Sequence, residues 1–357
     1  MKKTRLIQAA ALLGVAAISL SACASNESGS SSSTSSLSGQ ISGSGASSQS
    51  GAQEAWKAGF IASNASVAVN YDPEGSGAGR KAFAGGTADF AGSDSAVSTD
   101  ELAGKFAACK TNDIVEIPAY ISPIAVAFKL DGIDSLNMDA ATIAKVFSGQ
   151  ISKWNDPAIT DLNSGVTLPD TTIKVKFRGD ESGTTKNFLN YLKSEAPDAF
   201  GSAEVGETFP FASNPNAQSA QKTQGVKQAL TGSDGSIGYL DASQAGDLGT
   251  VAVNGVKYSA EAAAKIVEHS KLIDGRGDAD LAYKLDYSVE GAYPIVLVSY
   301  LIGCQEYQTE GKGELVKAYF EYVISADGQK QAADHAGSAP LSDAVTEKAK
   351  TAVNAIK

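Results

Sequence analysis

One stretch of the chain carries residue types that bind oxyanions. It contains a charged pair followed by small hydroxyl and glycine residues, namely Arg178, Asp180, Ser182, Gly183 and Thr184. An arginine fork matches the oxygens of phosphate-like groups, and the first N–H groups of a helix lie at the positive end of its dipole. We interpret Asp180 as the partner that holds Arg178 in place. The alternative is an ordinary strand-to-helix turn with a serine cap and a surface arginine.

Two further turns have the same order of strand, small residues and helix. The first contains Ala46, Ser47 and Ser48, and the second contains Ser76 between two glycines. Asp94 follows the apolar stretch Ala88–Gly92, so we expect it at the carboxyl end of a strand, where open α/β sheets bind ligands. Alternatively, Asp94 only caps the helix that the capping-box pattern at Ser98 predicts.

Alternating strands and helices must position these turns, which predicts an α/β fold. Two long apolar runs, Ile114–Leu130 and Tyr293–Ile302, bracket the middle of the chain. They suggest one domain inserted between two halves of another. We also predict a helix over Gln218–Leu230 and a hairpin over Val251–Tyr258 with Asn-Gly at its turn.

The N-terminus has the pattern of an export signal. Three cations, Lys2, Lys3 and Arg5, precede the apolar run Leu6–Leu20, which is short for a membrane span. The small residues before Cys23 resemble a bacterial lipoprotein cleavage site. We therefore predict a signal peptide at residues 1–22, a lipid on Cys23 and a Ser-rich tether at 23–38. The alternative is a plain secretory signal with a chance cysteine.

Composition argues against several classes of protein. The net charge of −11 becomes still more negative once the three signal-peptide cations are removed, which argues against binding to nucleic acid. Only two histidines are present and neither has metal-ligand spacing, so we expect no metal and no cofactor. Cys109 and Cys304 remain as an even pair in an exported protein, which suggests a disulfide. Two buried free thiols are the alternative.

The chain resembles the phosphate-binding lipoproteins of high-affinity phosphate ABC transporters, in the form found in actinobacteria. The resemblance rests on seven short motifs in the same order along the chain, which are Gly43–Ser48, Gly75–Gly77, Asp89–Asp94, Val146–Gly149 with Lys153–Asp156, Arg178–Thr184, Ile237–Tyr239 and Tyr293–Ile295. It implies a type II periplasmic-binding-protein fold of two α/β lobes joined by a two-strand hinge. Lobe I would comprise residues 39–122 and 296–357, and lobe II residues 123–295.

The resemblance also implies a set of phosphate contacts. They fall on Ala46, Ser47, Ser48, Ser76, Asp94, Arg178, Ser182, Gly183 and Thr184, with Asp180 supporting Arg178. Two positions depart from the family pattern, since Ser47-Ser48 stands where Thr-Phe is common and Glu181 replaces a frequent glycine. Our hypothesis is that Asp94 accepts the proton of phosphate and rejects sulfate, which has none.

The same resemblance implies partners and a location. It implies a monomer that delivers inorganic phosphate to the permease subunits of an ABC transporter. Its lipid would anchor it to the outer face of the cell membrane, outside the cytoplasm. Among other functions, binding of sulfate or molybdate would use similar donors.

Two other classes are less favoured. Because the chain has no Gly-x-Ser-x-Gly elbow, Walker sequence or two-metal cluster, we do not expect an enzyme. Arg178-Gly179-Asp180 and Arg276-Gly277-Asp278 both spell the tripeptide that integrins read. A surface adhesion lipoprotein is therefore a further alternative.

Overall fold

The computed structural model describes residues 37–357. The predicted signal peptide, the lipidation site at Cys23 and all but the last two residues of the predicted tether lie outside these residues. Within residues 37–357, no helix combines the length and the apolar character needed to cross a membrane.

Strands and helices alternate along the described residues, which confirms the α/β prediction. The strands are Gly39–Gly45 (β1), Val67–Asp72 (β2), Phe90–Ser93 (β3), Ile114–Lys129 (β4), Ser135–Met138 (β5), Lys174–Arg178 (β6), Ala217–Ala220 (β7), Ser236–Asp241 (β8), Gly249–Val253 (β9), Lys271–Leu272 (β10), Tyr283–Lys284 (β11) and Val296–Cys304 (β12). The helices are Ser50–Ser63 (α1), Ser76–Ala84 (α2), Thr99–Leu102 (α3), Ala140–Ser148 (α4), Pro157–Thr160 (α5), Gly183–Glu195 (α6), Pro197–Phe200 (α7), Lys222–Thr231 (α8), Ala260–His269 (α9), Lys312–Val323 (α10), Ala326–Ala336 (α11) and Asp343–Val353 (α12).

One curled sheet carries most of these strands, in the order β2-β1-β3-β12-β4-β8-β6-β7, with β9 beside β4 and β5 beside β9. Pairing is parallel within β2-β1-β3 and within β8-β6-β7, and antiparallel around β12 and β4. We call the β1–β3 side the first half and the β5–β9 side the second half. The carboxyl ends of the parallel strands in both halves carry the turns singled out in the sequence.

Strand β4 belongs to both halves. Its residues Ile114–Pro123 pair with β12, and its residues Ile124–Lys129 pair with β8. A proline has no N–H to donate to a ladder, and Pro118 lies where the register with β12 shifts between Ser299 and Tyr300. The two long apolar runs therefore form the strands that join the halves. The lobe boundaries stated above stay a prediction.

Each half has its own aromatic core, which fixes the helices that carry the site. In the first half, Phe90 of β3 packs against Tyr319 of α10, with ring centroids 5.6 Å apart. In the second half, Phe188 of α6 stacks on Tyr239 of β8 at 4.5 Å. All four side chains are almost fully buried. The second of these contacts packs α6, one of the helices that begin at the predicted site, against the sheet.

Cys109 and Cys304 form a disulfide, with their Cα atoms 5.3 Å apart. The bond joins the loop after α3 to the last residue of β12, so it lies in the first half of the molecule. The predicted pairing is confirmed and the free-thiol alternative is wrong.

Two local predictions are only partly confirmed. The predicted helix over Gln218–Leu230 begins only at Lys222, because Ala217–Ala220 pairs with β6 as an edge strand. These small polar residues carry no strand signal of their own. The predicted hairpin is present only at its turn: Val253 and Val256 exchange two backbone hydrogen bonds of 2.9 Å across Asn254 and the following glycine, both with positive φ angles, but no second strand extends to Tyr258. Over the rest of its length, β9 pairs with β4 and β5.

Candidate anion-binding site

Asp94 lies at the centre of a cluster of hydroxyl groups. Its side chain is buried just after β3, with 2% of the residue exposed. The Asp94 Oδ2 atom accepts hydrogen bonds from Ser48 Oγ at 2.5 Å and Thr184 Oγ1 at 2.9 Å, and Oδ1 accepts one from Ser299 Oγ at 2.7 Å. Residues from four distant segments therefore meet at one carboxylate.

The starts of helices α2 and α6 also converge on Asp94. Ser76, the first residue of α2, accepts the Asp94 N–H at 3.1 Å through its Oγ. Ser182 caps α6 by accepting the Thr185 N–H at 3.2 Å. A methyl group added at Gly183 would lie 2.7 Å from the carbonyl carbon of Asp94, so only glycine allows this approach. The first residues of both helices thus lie against Asp94.

The third turn precedes α1 through a short 3₁₀ segment, Ser47–Gln49. The Ala46 N–H donates to the Gly92 carbonyl at 2.8 Å, so its only donor is already used by the sheet. As the first residues of a helical turn, Ser47 and Ser48 have N–H groups with no partner inside the helix. The free backbone donors of this turn therefore come from the two serines and not from Ala46.

Arg178 and Asp180 form the pair that the sequence suggested. Arg178 Nε donates to Asp180 Oδ1 at 2.8 Å and Nη2 donates to Asp180 Oδ2, while the Arg178 side chain is only 3% exposed. The Lys222 N–H also donates to Asp180 Oδ1, at 2.9 Å. Gly75, with φ of 109°, leaves room for this carboxylate, because a Cβ there would lie 2.7 Å from Asp180 Oδ2. The guanidinium is therefore fixed beside the helix starts.

We call the buried groups around Asp94 and Arg178 the floor cluster. It comprises Ser47, Ser48, Ser76, Asp94, Arg178, Asp180, Ser182, Gly183, Thr184 and Ser299. Its predicted members come together as the sequence suggested, apart from Ala46, whose donor is used elsewhere. Helix N–H groups, hydroxyls and one guanidinium can donate to an anion here, and Asp94 can accept a hydrogen.

The environment shifts the pKa values of both carboxylates. Burial raises the pKa of Asp94, and the hydroxyls of Ser48, Ser299 and Thr184 with the charge of Arg178 oppose that rise. Burial would also raise the pKa of Asp180, but the hydrogen bonds and charge of Arg178 bring it below its usual value. Asp180 therefore stays ionised as the partner of Arg178.

The space between the two halves forms a cleft. Two exposed ion pairs connect the halves at its edge, and we call them the rim pairs. Lys81 Nζ lies 2.6 Å from Glu181 Oε2, and Lys222 Nζ lies 2.6 Å from Glu74 Oε1. Lysine side-chain exposures are 68% and 37%. Glu181, the departure from the family pattern, thus contacts the opposite half instead of disturbing the floor.

A further ion pair, largely shielded from water, also crosses the cleft. Arg80 Nη1 donates to Glu207 Oε1 at 2.9 Å across the cleft, and Ser95 Oγ donates to the same oxygen. Arg80 Nε also pairs with Glu101 at 2.8 Å, in its own half. These contacts hold the two halves together in this structure.

Sequence reasoning missed three residues of the site. Ser299 is a lone polar residue between Val298 and Tyr300 in a strand that is otherwise apolar, which is a signal that its hydroxyl has a buried partner. Thr223 and Glu207 carry no comparable signal. Thr223 contacts Ser47 across the cleft at 3.0 Å.

Neither Arg-Gly-Asp tripeptide presents its arginine to solvent. Arg178 is committed to the floor cluster. The Arg276 side chain is 8% exposed and pairs with the fully buried Glu116 at 2.8 Å and with Asp280 at 2.6 Å. The adhesion alternative therefore loses the feature that suggested it.

The sequence is similar to known proteins over most of its length. Residues 30–327 match the family model described as a PBP superfamily domain. The chain is 35% identical over 318 residues to the phosphate-binding protein PstS 3 of Mycobacterium leprae, covering 86% of this chain and 84% of that protein. It is 33% identical over 385 residues to phosphate-binding protein PstS 3 of Mycobacterium tuberculosis strain H37Rv, covering both chains completely.

Solved structures share the fold. The high-affinity periplasmic phosphate-binding protein PfluDING has a TM-score of 0.70 at 21% identity, over 87% of this chain and 93% of that one. A phosphate-binding protein from Stenotrophomonas maltophilia has a TM-score of 0.67 at 20% identity, over 88% and 94% of the two chains. At these identities the likeness concerns the fold, and it confirms the type II binding-protein architecture.

Proposed function

Since the chain belongs to the PstS family of phosphate-binding proteins, within the PBP superfamily, we propose that its floor cluster encloses one inorganic phosphate ion. The chain is a phosphate-capturing substrate-binding protein for an ABC importer. One observation carries the proposed site: helix starts from both halves of the sheet converge on the same buried Asp94 beside the fixed Arg178.

The donors of the proposed complex come from both halves. Ser47 and Ser48 offer first-turn N–H groups from the first half, and Gly183 and Thr184 offer them from the second. Arg178 adds its guanidinium. Several charge-assisted hydrogen bonds of roughly 1.5–3 kcal/mol each are enough for a micromolar affinity, which needs about 8 kcal/mol. No covalent chemistry is needed, and we expect no hydrolysis of phosphate esters.

Asp94 decides which oxyanion is held, in this proposal. Near neutral pH phosphate carries a proton that it can donate to the carboxylate, whereas sulfate carries none. A sulfate ion would leave the buried carboxylate without that hydrogen bond and facing another negative charge. The Ser48 and Thr184 hydroxyls now bonded to Asp94 can turn toward the ligand, because among the described residues no group donates to them.

Calorimetric titration of the protein without its lipid tests this proposal. We expect phosphate and arsenate, which is also protonated, to bind, and sulfate to bind about 10⁴-fold more weakly. Asp94→Asn should strengthen sulfate binding by about 100-fold, because the amide removes the negative charge and offers a hydrogen. Asp334→Asn is the matched control, since it removes an exposed carboxylate on α11. Equal affinity of the native protein for sulfate and phosphate would overturn the proposal.

The remaining family features are also part of the proposal. We expect an exported monomer that is lipidated at Cys23, held at the outer face of the cell membrane, and received by permease subunits of the importer. The 33% identity over the whole of the M. tuberculosis protein supports this common organisation. Mass spectrometry of the mature N-terminus tests for the lipid on Cys23. A Cys23→Ala variant should lack this lipid and should no longer be found in the membrane fraction.

A further inference from the structure

A line of buried polar side chains leads from the helical layer to Asp94. It consists of Tyr319 on α10, Gln53 and Gln49 at the start of α1, and Ser299 on β12, and we call it the donor chain. Tyr319 Oη lies 2.8 Å from Gln53 Oε1, and Gln53 Nε2 lies 2.9 Å from Gln49 Oε1. Gln49 Nε2 lies 2.8 Å from Ser299 Oγ. Each of these residues is at most 1% exposed.

The direction of every hydrogen bond in the donor chain is fixed by one backbone carbonyl. Gln49 Nε2 donates to the Tyr300 carbonyl at 2.9 Å, and a carbonyl can only accept. The Gln49 amide therefore cannot be turned round, and its second hydrogen goes to Ser299 Oγ. Ser299 has a single hydrogen, which must then go to Asp94 Oδ1. Ser48 and Thr184 differ, because nothing forces their hydrogens toward Asp94.

We propose that the donor chain holds Asp94 as a hydrogen-bond acceptor, and that Ser299 and Gln49 are therefore positioning residues for oxyanion selectivity. A hydrogen donated to Oδ1 stabilises the ionised carboxylate and leaves Oδ2 to accept the proton of the ligand. The inference rests on the proposed role of Asp94 and adds a reason why the Asp94 carboxylate stays ionised. The hydrogen bonds of the donor chain also polarise one another in the same direction, which strengthens the bond from Ser299 to Asp94.

Other titratable groups face Asp94 and must be separated from this effect. Tyr71 of β2 and Tyr120 of β4 have pKa values raised well above the usual range by burial, so both stay neutral. Arg178 contributes its positive charge. Asp241 at the end of β8 has its pKa raised to about 7 by burial, so it titrates within the range of the experiment. The measurement is therefore repeated in an Asp241→Asn background.

The test measures sulfate and phosphate affinity of the whole mature chain from pH 5 to pH 8. In Ser299→Ala the ionised Asp94 loses a donor, so the pH below which sulfate begins to bind should rise by about one unit. The preference for phosphate over sulfate at pH 7.5 should fall about tenfold. Ser299→Thr keeps the hydroxyl and should restore both values. Ser236→Ala is the matched control, since it also removes one hydrogen bond from a buried strand serine, 3.0 Å from the Leu230 carbonyl.

Gln49→Met provides a second variant that does not alter Ser299. The variant removes the amide that donates to Ser299 but keeps the Ser299 hydroxyl. We therefore expect the preference for phosphate over sulfate at pH 7.5 to fall about threefold. Unchanged sulfate profiles in folded Ser299→Ala and Gln49→Met would overturn the inference. If Asp94→Asn leaves selectivity unchanged, the proposed role of Asp94 fails instead. If Asp94→Asn relaxes selectivity while both donor-chain variants keep it, only the donor chain is refuted.

Discussion

The floor cluster and the rim pairs both place charged groups where the two halves meet, but the two sets differ in their access to water. The Arg178 side chain is 3% exposed, whereas the Lys81 side chain is 68% exposed. Coulombic attraction is several times stronger in the interior than at the surface, and it is less screened by salt. We infer that the floor decides whether an ion is held and which one, and that the rim only adjusts how readily the halves close.

The largest expected effect is the loss of the floor cation. Arg178→Ala removes the fork that Asp180 fixes, so we expect phosphate affinity to fall by about 100- to 1,000-fold. The change leaves the aromatic core of the second half intact, and far-ultraviolet circular dichroism should be unchanged. Calorimetry with phosphate measures the loss.

A control separates this local role from overall charge. Lys174→Ala removes a cation from the same strand, where the Lys174 side chain is exposed and its ammonium contacts the Asp234 carbonyl at 2.9 Å. Phosphate affinity should stay within about twofold of native, because a distant exposed charge is screened. Equal losses in both variants would mean that net charge, and not the floor, governs binding.

Whether a contact of the site can be predicted from the sequence depends on whether it is local or crosses the cleft. The strand-turn-helix segments were predictable because glycines, hydroxyl caps and flanking apolar runs are local signals, and the structure has Ser182 capping α6 as such signals require. Contacts made across the cleft were not. Glu207 reaches Arg80 from a loop whose sequence shows no periodicity. Which loop side chains meet across the cleft depends on how the two halves close.

The fold shows the same limit. Strand β4 was recognisable as a continuous apolar run, since a strand buried on both faces needs no alternation. Strand β7 was not, because its burial is low and its pairing with β6 supplies most of what makes it a strand. Edge strands of this kind are set by their neighbours more than by their own residues.

A second prediction tests whether burial alone explains the floor. Asp241 is as buried as Asp94, but its Oδ1 accepts only from Ser243, and its Oδ2 has no partner among residues 37–357. Its pKa is raised to about 7, so the folded state favours the protonated form. The contribution of protonated Asp241 to the free energy of unfolding is therefore complete below about pH 4 and is lost as the pH rises to 7.

Replacing this carboxylate should stabilise the protein in a pH-dependent way. We expect Asp241→Asn to raise the free energy of unfolding by on the order of 2 kcal/mol more at pH 7.5 than at pH 4.5. Urea denaturation of the phosphate-free protein at the two pH values measures the difference. Asp334→Asn, which changes an exposed carboxylate, should show no such dependence. A gain that is the same at both pH values would show that Asp241 does not titrate in this range.

The smallest expected effect comes from the rim. Exposed ion pairs contribute roughly 0.2–1 kcal/mol each, so the double variant Lys81→Ala, Lys222→Ala should weaken phosphate binding only about threefold at low ionic strength. The loss should disappear in about 1 M salt, where the screening length is near 3 Å, whereas the loss in Arg178→Ala should persist. Lys330→Ala is the control, since it breaks an exposed pair with Asp334 on α11. A hundredfold, salt-resistant loss in the double variant would place the decisive charges at the rim and reverse the comparison, because solvated lysines would then be holding the ion as strongly as the buried guanidinium.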